Sequence, residues 1–424
     1  MTGADTHRAI DAVWRIESPK LIAGLTRIVR DVGLAEDVAQ DALVAALEQW
    51  PESGVPDKPG AWLMTTAKHR AIDRLRRNER LERKHEELGR ETLAQQEMAM
   101  SEHSSSADDL GDDLLRLIFI SCHPILAPEA RVALTLRLLA SLTTEEIARA
   151  FLVPVSTIAQ RIVRAKRTLT EARVPFEVPS GPELDARLSS VLQVIYLVFN
   201  EGYSATAGDD LIRAGLCEDA LRLGRILAWL APKEPEVHGL VALMEIQASR
   251  SRARVGPSGE MVLLLDQDRG RWDQLLIRRG FAALERVEKI DGALGPYALQ
   301  AAIAACHARA RTAAETDWAR IVALYDALAE LAPSPVVELN RAVAVGMAFG
   351  PAAGLALVDA LTAEPSLRTY HFLPSVRGDL LVKLGRSDEA RAEFERAAAL
   401  TQNARERELL LGRAAACSRR ETLS

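Results

Sequence analysis

The 424-residue sequence is poor in aromatic residues and has no long apolar run. Phe, Trp and Tyr make up 4% of it, whereas Ala, Leu, Arg and Glu are frequent. No apolar stretch approaches the ~20 residues that a membrane-spanning helix needs, and the N-terminus lacks a basic region followed by an apolar run. We therefore expect a helix-rich cytoplasmic protein without a membrane segment, long enough for two or three domains.

Cysteine is also scarce, and the four cysteines lie far apart. Cys122, Cys217, Cys306 and Cys417 form no CxxC or Cys/His spacing. The sequence therefore predicts reduced, mostly buried thiols, no metal site and no cofactor. The histidines have no triad or HExxH context, and no GxxxxGK[ST] phosphate-binding loop is present. These absences predict that the chain is not an enzyme.

The overall charge limits how the chain can bind nucleic acid. The formal net charge is −6 at pH 7, which argues against a protein that coats nucleic acid with its whole surface. Positive charge is nevertheless concentrated in a few segments, so local basic faces remain compatible with this balance.

The stretch 142–169 predicts two helices joined by a short turn. Thr143 or Thr144 can cap a first helix whose opening turn carries two glutamates. Pro154 limits it, because the residue before a proline is pushed out of the α region. Ser156 or Thr157 can begin a second helix, whose apolar residues recur at helical spacing. The residues mostly outside that apolar stripe are Thr157, Gln160, Arg161, Arg164, Lys166 and Arg167.

The second of these helices has the composition of a DNA-reading helix. Such a helix can enter a major groove, with its first polar and arginine side chains on base edges and its later cations on phosphates. A helical hairpin with a solvated basic face is the alternative, since basic faces are common.

The first 80 residues predict a compact helical unit. An apolar stripe from Leu21 to Val29 marks one helix, which we expect Gly33 to end, and a second helix follows from about Ala35 to Trp50. The opposite face of the second helix carries Glu36, Asp37, Gln40 and Asp41. Such acids usually complement the helix dipole. The alternative is a docking surface for a basic partner.

A loop at 51–59 leads into a third, cationic helix. Trp62, Leu63 and Ala67 can face the core. The cations gather towards the other sides: Lys68, Arg70, Arg74, Arg76 and Arg77. This helix suits a phosphate backbone, because each neutralised phosphate releases counterions. A solvated helix with internal charge pairs is the alternative.

The rest of the chain divides by composition. Residues 81–112 lose apolar periodicity and predict a flexible linker. Helical periodicity resumes over 113–175, and a proline- and glycine-rich segment at 179–182 marks the clearest domain boundary. Residues 183–424 predict a further helical unit.

That last unit begins with an apolar helix at 184–200. A glycine-containing turn with Glu201 and Tyr203 follows, and 262–270 is expected to be a short loop or strand. Further helices are predicted near 208–230, 234–253, 273–288 and 296–311. From about 317 the pattern becomes repetitive and resembles tetratricopeptide repeats, with Leu384, Ala390, Phe394 and Ala397 at packing positions of the last one.

Three of these segments together resemble the extracytoplasmic-function group of RNA polymerase sigma factors, the minimal bacterial type that keeps conserved regions two and four. LAEDVAQDALVAALEQW at 34–50 is similar to the core-polymerase-binding helix of region two. PGAWLMTTAKHRAIDRLRR at 59–77 is similar to the segment that recognises and melts the promoter −10 element. PVSTIAQRIVRAKRTL at 154–169 resembles the −35 reading helix of region four.

The resemblance implies roles for particular residues. It places Asp37, Gln40 and Asp41 on the surface that docks to the clamp helices of the polymerase large subunit. The −35 contacts that it implies are Ser156, Thr157, Gln160, Arg161, Arg164 and Lys166. The −10 contacts that it implies are Trp62, Lys68, His69, Arg70, Arg74, Arg76 and Arg77; the family usually has asparagine at the position of His69.

The resemblance also implies an all-α fold: a region-two domain at 1–80, a region-four domain at 113–175 and a helical extension at 183–424. Such an extension resembles the subgroup whose C-terminal helical domain regulates the factor in place of a membrane anti-sigma factor. Asn200, Glu201 and Tyr203 are candidate regulatory contacts, the alternative being a loop fixed by a turn glycine and a buried tyrosine. Stacked helix pairs would also offer a concave surface to a protein partner.

We therefore expect a protein that binds core RNA polymerase and promoter DNA, directs transcription initiation and is regulated by its own C-terminal half. The alternative is a repeat-based interaction scaffold whose basic units bind nucleic acid without sequence preference.

Overall fold

The computed structural model shows an all-α fold, as predicted, with two compact units, Met1–Ile195 and Tyr196–Ser424. None of the described helices is long and apolar enough to cross a membrane. All four cysteines are buried and unpaired, as the sequence predicts. The residues that the structure describes are 3–82, 107–151, 153–204, 207–208, 211–257, 259–290 and 294–421.

The first unit is helical and ends in the middle of a long helix. Its described helices are α1 (Gly3–Val29), α2 (Val32–Ser53), α3 (Pro59–Glu82), α4 (Ala107–Ser121), α5 (Pro128–Leu138), α6 (Thr144–Phe151), α7 (Val155–Glu171) and the first half of α8 (Pro182–Tyr203). Helices α1, α2 and α3 pack on one another, and their buried side chains include Leu25, Trp50 and Leu63.

The junction between α1 and α2 differs from the prediction that Gly33 ends the first helix. Helix α1 ends at Val29, and Arg30 adopts a left-handed backbone with φ 54°. The Asp31 carboxylate then caps α2 by accepting the Leu34 N–H at 2.7 Å. Gly33 therefore lies in the first turn of α2, because a side-chain cap starts that helix before its apolar periodicity begins.

Described helices reach into both ends of the predicted linker. Helix α3 extends to Glu82, and α4 begins at Ala107. Helix α4 buries Leu117 and Ile118, so its apolar side explains why it folds where the sequence is still acidic. The rest of the predicted linker, 83–106, lies outside the described residues.

Helix α8 contributes its first half to the first unit. The buried Arg187 guanidinium donates to the Phe119 carbonyl at 3.1 Å. The Ser190 hydroxyl donates to the Cys122 carbonyl at 2.6 Å. These bonds explain why the first unit extends to Ile195, beyond the proline- and glycine-rich segment that precedes α8.

The second unit is a succession of helices with one short parallel strand pair, β1 (Ala207–Gly208) and β2 (Gln402–Asn403). Its described helices are α9 (Ala214–Leu230), α10 (Pro235–Ala248), α11 (Gln274–Lys289), α12 (Pro296–Arg309), α13 (Trp318–Leu331), α14 (Pro335–Phe349), α15 (Pro351–Leu361), α16 (Phe372–Lys383), α17 (Ser387–Leu400) and α18 (Ala404–Glu421). From α13 onward each helix packs on the next, as in proteins built from stacked helix pairs.

The segment 262–270, expected to be a loop or a strand, is a loop with two single-turn 3-10 helices. They span Leu264–Asp266 and Arg269–Arg271. An isolated antiparallel bridge between Val255 and Met261 precedes them.

Helices α16 and α17 form the hairpin that the repeat pattern predicts. Ala390, Phe394 and Ala397 are fully buried. A Cβ at Gly378 would lie 2.7 Å from the Phe394 ring, so glycine allows the two helices to approach closely. Leu384, also expected at a packing position, is instead 36% exposed, because it caps the end of α16.

Replacing Phe394 with alanine should lower the free energy of unfolding by about 3–5 kcal/mol, because it leaves a cavity in this hairpin. The melting temperature should fall by about 6–20 °C, as measured by calorimetry on the purified chain. Phe349→Ala is the matched control, since Phe349 is 66% exposed. Equal shifts for both variants would contradict the packing described here.

Candidate nucleic-acid interface

Helix α6 begins with a reciprocal capping box. The Thr143 hydroxyl accepts the Glu146 N–H at 3.1 Å, and the Glu146 carboxylate accepts the Thr143 N–H at 2.8 Å. This confirms the predicted cap and assigns it to Thr143. Helix α7 begins at Val155, directly after Pro154 and without a side-chain cap, so Ser156 lies inside its first turn.

Helix α7 turns its apolar stripe inward. Its buried residues are Ile158, Ile162, Ala165 and Leu169, the stripe that the sequence predicts. Helix α7 packs on both α5 and α6. The stripe therefore fixes which side of α7 remains outside.

The outer side of α7 carries most of the residues predicted to read the −35 element. At about 100° per residue, Ser156, Gln160 and Arg164 point away from the stripe, and all three are exposed. Thr157 and Arg161 are half-buried on one flank. Within the described part of the chain, Arg161 and Arg164 have no ion-pair partner, so both guanidinium groups can bind an external anion.

Lys166 lies on the opposite flank of α7 and faces α2. Its Nζ lies 2.5 Å from Glu36 Oε2, and its side chain is only 19% exposed. Arg137 of α5 places Nε 2.6 Å from the other oxygen of Glu36. Lys166 is thus separated from the rest of the predicted −35 set, which lies outside.

The Glu36 carboxylate is buried, which corrects its placement on the exposed acidic face of α2. Burial by itself would raise the pKa of Glu36, but Lys166 and Arg137 outweigh burial and hold that pKa below its ordinary value of 4.5. A lowered pKa means that the ionised group stabilises the fold at neutral pH. That contribution is lost only as the pH falls through the lowered pKa.

Helix α3 presents the cations predicted for the −10 element on different sides. His69 and Arg76 are exposed. Arg70 is half-buried and donates to the Asp41 carbonyl. Burial, with a further contribution from a nearby arginine, lowers the pKa of Lys68. The side chain of Arg77 lies outside the described residues.

Trp62 has a packing role in addition to its predicted −10 role. It is half-buried, and its ring meets the buried Trp50 edge-on, with centroids 5.3 Å apart and planes at 66°. This contact joins α3 to the end of α2. The indole remains partly exposed, so both roles are sterically compatible.

The residues predicted to bind polymerase lie beside the basic side of α3. Arg74 pairs with the Asp41 carboxylate at 2.7 Å and approaches Asp37 at 3.8 Å. Asp37 remains 61% exposed, whereas Gln40 is half-buried. The acidic side of α2 and the basic side of α3 therefore form one continuous surface, on which Asp37 is the outermost acid of the predicted set.

The candidate regulatory residues occupy the last turn of α8 and not a loop, which corrects the sequence expectation. Glu201 pairs with Arg213. Tyr203 stacks on Phe199, and the guanidinium of Arg254 lies 3.9 Å from the Tyr203 ring centroid. Glu201 and Tyr203 therefore have structural contacts within the second unit.

Gly202 explains why a glycine interrupts this turn of helix. A Cβ at Gly202 would lie 2.6 Å from the backbone nitrogen of Cys217, at the start of α9. Asn200, two residues before Gly202 in the sequence, is half-buried. A regulatory role for Asn200, Glu201 and Tyr203 stays a prediction, while their segment has a clear structural function.

Sequence reasoning missed the ion pairs around Glu36. Arg137 lies in a helix that the sequence marks only as a packing helix, and it is 101 residues from Glu36 along the chain. A local pattern carries no signal for such a pair. Glu36 lies at the edge of the apolar stripe of α2, and this position is the only sequence signal that its carboxylate could be buried.

Comparisons with known families identify this pair of helical regions. Residues 14–81 match Sigma-70 region 2, and residues 116–169 match Sigma-70 region 4. The chain belongs to the sigma-70 family. This family consists of non-enzymatic transcription initiation factors that act with core RNA polymerase on promoter DNA, which confirms the prediction that the chain is not an enzyme.

Relatives of this sigma factor support both the family and the extension. An uncharacterized protein of Rhizobium meliloti is 44% identical over 406 residues, covering 94% of this chain and 93% of the relative. The probable ECF RNA polymerase sigma factor SigI of Mycobacterium tuberculosis is 25% identical over 172 residues, 41% of this chain and 58% of that protein. The ECF RNA polymerase sigma factor SigK of a Mycobacterium species is 28% identical over 158 residues, 36% of this chain and 77% of that protein.

The extension has its own family assignment. Residues 187–288 match a family of unknown function (DUF6596), which spans most of α8 and continues into α11. The sigma factor thus carries a second conserved module directly after region four.

Replacing Gly202 with alanine should lower the free energy of unfolding by about 1–3 kcal/mol, because the new methyl group would overlap the start of α9. Gly215→Ala is the matched control: Gly215 is an exposed helical glycine with no atom within 4 Å of the position that a methyl group would take there. That control should be neutral or stabilising by up to about 1 kcal/mol. Thermal unfolding measures both, and a neutral Gly202→Ala variant would contradict the structural role of this glycine.

Proposed function

We propose that this sigma factor directs initiation by binding a promoter at two points. Helix α7 reads the −35 element as duplex, and α3 stabilises the separated −10 strand while α2 docks to the clamp helices of the polymerase large subunit. The observation that supports this most strongly is the pair of arginines on α7, Arg161 and Arg164, which have no ion-pair partner within the described residues.

The exposed side of α7 supports the −35 contact. Gln160 and Arg161 are side chains that can form bidentate hydrogen bonds with base edges in the major groove. Arg164, one turn further on, suits a phosphate, which positions the helix without reading sequence. With so few base-reading side chains, part of the specificity would come from DNA shape.

Two ring-bearing side chains of α3 support the −10 contact. Separated bases need flat surfaces on which to stack. His69 is exposed on α3, and Trp62 is half-buried at its start. Arg76 is exposed on the same helix and would hold the backbone of the melted strand.

The negative charge on α2 supports the polymerase contact. Asp37 projects from α2 and is the outermost acid of the predicted set, and Asp41 and Gln40 lie close to it on the same helix. A basic partner surface would be steered towards these acids. Arg74 would remain as an internal counter-charge for Asp41 when the partner docks.

Replacing both Arg161 and Arg164 with alanine should reduce −35-dependent transcription by about tenfold or more, because a base contact and a phosphate contact are lost together. The assay is transcription with core RNA polymerase on a promoter library. Arg167→Ala is the matched control, since Arg167 on the same helix is already paired with Glu171 at 2.6 Å. Binding by the unaltered protein should also fall steeply with salt.

Unchanged transcription by the double variant would contradict the −35 assignment. The alternative function, a repeat-based scaffold that binds nucleic acid without sequence preference, predicts neither co-purification with core polymerase nor selective initiation. Co-purification of the full chain therefore separates the two functions before any promoter is known.

The second unit is proposed to restrain the sigma half or to connect it to a protein partner through its stacked helices. Truncation after Ile195 should change promoter activity relative to the full chain in the same transcription assay. This end point follows from the bonds that hold the first half of α8 in the first unit, through Arg187 and Ser190. A soluble truncated protein with unchanged activity would contradict the restraint.

A further inference from the structure

The second unit contains a cavity of about 280 Å³, called the repeat cavity. Helices α13, α14 and α16 supply most of its lining, and the rest comes from His307 of α12 and from Leu264 and Leu265 of the loop at 262–270. Its volume is close to the lower limit of small-molecule pockets, about 300 Å³. The repeat cavity therefore suits a small molecule better than a peptide.

The lining of the repeat cavity is mostly apolar. Ile321 is buried, and Trp318 is half-buried with its ring edge-on to the ring of His307, at a centroid distance of 5.2 Å. A few polar side chains interrupt this lining, among them Tyr325 and Asn340. Small-molecule sites have this composition, in which apolar groups hold the body of a ligand and a few polar groups orient it.

Lys383 supplies a cation to the lining, and it lacks the partner that its own helix offers. Asp379 lies four residues before it on α16, the spacing at which an acid and a base on one helix can pair. The Asp379 carboxylate instead pairs with Arg413 of α18, whose guanidinium also lies 4.4 Å from the Phe394 ring centroid. Within the described residues, the Lys383 ammonium has one polar contact, to the Met347 sulfur at 3.1 Å. A thioether is a weak acceptor, so this ammonium can bind an external anion.

Two arginines near His307 add positive charge beside the cavity. Arg250 is 9% exposed and has no ion-pair partner among the described residues. Arg269 donates to the His307 carbonyl, and both guanidinium groups lie near the Trp272 ring, 5.9 and 5.1 Å from its centroid. Burial and these two arginines lower the pKa of His307 to about 4, so its ring is neutral at pH 7. Burial and Arg250 lower the pKa of Arg269, although Glu315 acts in the opposite direction.

We propose that the repeat cavity binds a small molecule that carries one acid group on an apolar body, such as an aromatic or short-chain carboxylate. The acid group binds the Lys383 ammonium, and the body packs against Trp318 and Ile321. The one carboxylate among the described lining residues belongs to Asp379, which is already paired. The site therefore selects an anion over a cation. This inference does not depend on the promoter contacts proposed above.

The first test compares three probes of similar shape and different charge on the full chain: naphthalene-2-carboxylate, naphthalene-2-methanol and naphthalene-2-methylammonium. The carboxylate, with about 13 non-hydrogen atoms, should bind with a Kd of about 1 mM or lower. It should bind at least about fivefold more tightly than the alcohol. Ligand-observed NMR measures the three dissociation constants. Because the net charge of −6 attracts cations without specificity, a preference for the carboxylate reports a specific site.

The second test changes the charge of the cavity in both directions. Lys383→Gln should weaken binding of the carboxylate by at least about fivefold and leave binding of the alcohol unchanged. Asp379→Asn should strengthen binding of the carboxylate by about threefold or more, because the lining loses its negative charge while Arg413 keeps its positive one. Lys289→Gln is the matched control, since Lys289 is exposed on α11 and does not line the cavity.

The third test fills the cavity. Val343→Phe places a ring in the space that the body of the probe would occupy, so binding of both the carboxylate and the alcohol should be lost. Val336→Phe is the control, since Val336 lies on the same helix, is 36% exposed and does not line the cavity. Thermal unfolding shows whether each variant is folded. Lys383 is exposed, so the second test stands even where Val343→Phe does not fold.

The outcomes are decisive for the ligand site alone. Absence of carboxylate binding, equal affinities for the three probes, or carboxylate binding that neither charge variant alters each overturns the proposal. Binding that persists in folded Val343→Phe places the probe elsewhere and overturns it as well. Promoter-directed initiation is measured separately by the transcription assay, so failure of the ligand site and failure of the proposed function are distinguishable.

Discussion

A buried carboxylate must keep its counter-charges, and Glu36 imposes that requirement on the whole first unit. Its two oxygens bind Arg137 of α5 and Lys166 of α7, so one carboxylate joins both of these helices to α2. Removing the carboxylate would leave two cations without their counter-charge in a partly dehydrated site, which costs more than the ion pairs contribute when intact. The placement of α7 on α2 therefore depends on an interaction that lies on a different side of α7 from the exposed Gln160 and Arg164.

The same requirement sorts the cations of α7 into two classes. Lys166 neutralises an internal acid, whereas Arg161 and Arg164 have no ion-pair partner within the described residues. On α3, Arg74 likewise neutralises an acid of the same chain, Asp41. The net charge of −6 does not prevent the chain from binding a polyanion, because acids such as Glu36 and Asp41 are paired with cations of the same chain.

The second unit shows how a structural segment can look functional in sequence. Glu201 and Tyr203 flank a glycine at the end of an apolar helix, a pattern that by itself suggests a contact site. In the fold, Gly202 lets α9 approach the backbone of α8, and the residues on either side of it pair with arginines of the same unit. Each residue has a packing reason that is independent of any partner.

The sequence by itself determined the helices, the capping box of α6, the apolar stripe of α7 and the motifs of the two sigma regions. These follow from periodicity and capping, which act over a few residues. Only the tertiary structure decided that Glu36 is buried, that Lys166 turns away from the side of α7 that exposes Gln160 and Arg164, and that the first half of α8 belongs to the first unit. Each of those outcomes depends on pairing between residues far apart in the chain. Helical periodicity marks where apolar faces lie, but it does not show which distant charge will neutralise a group at the edge of such a face.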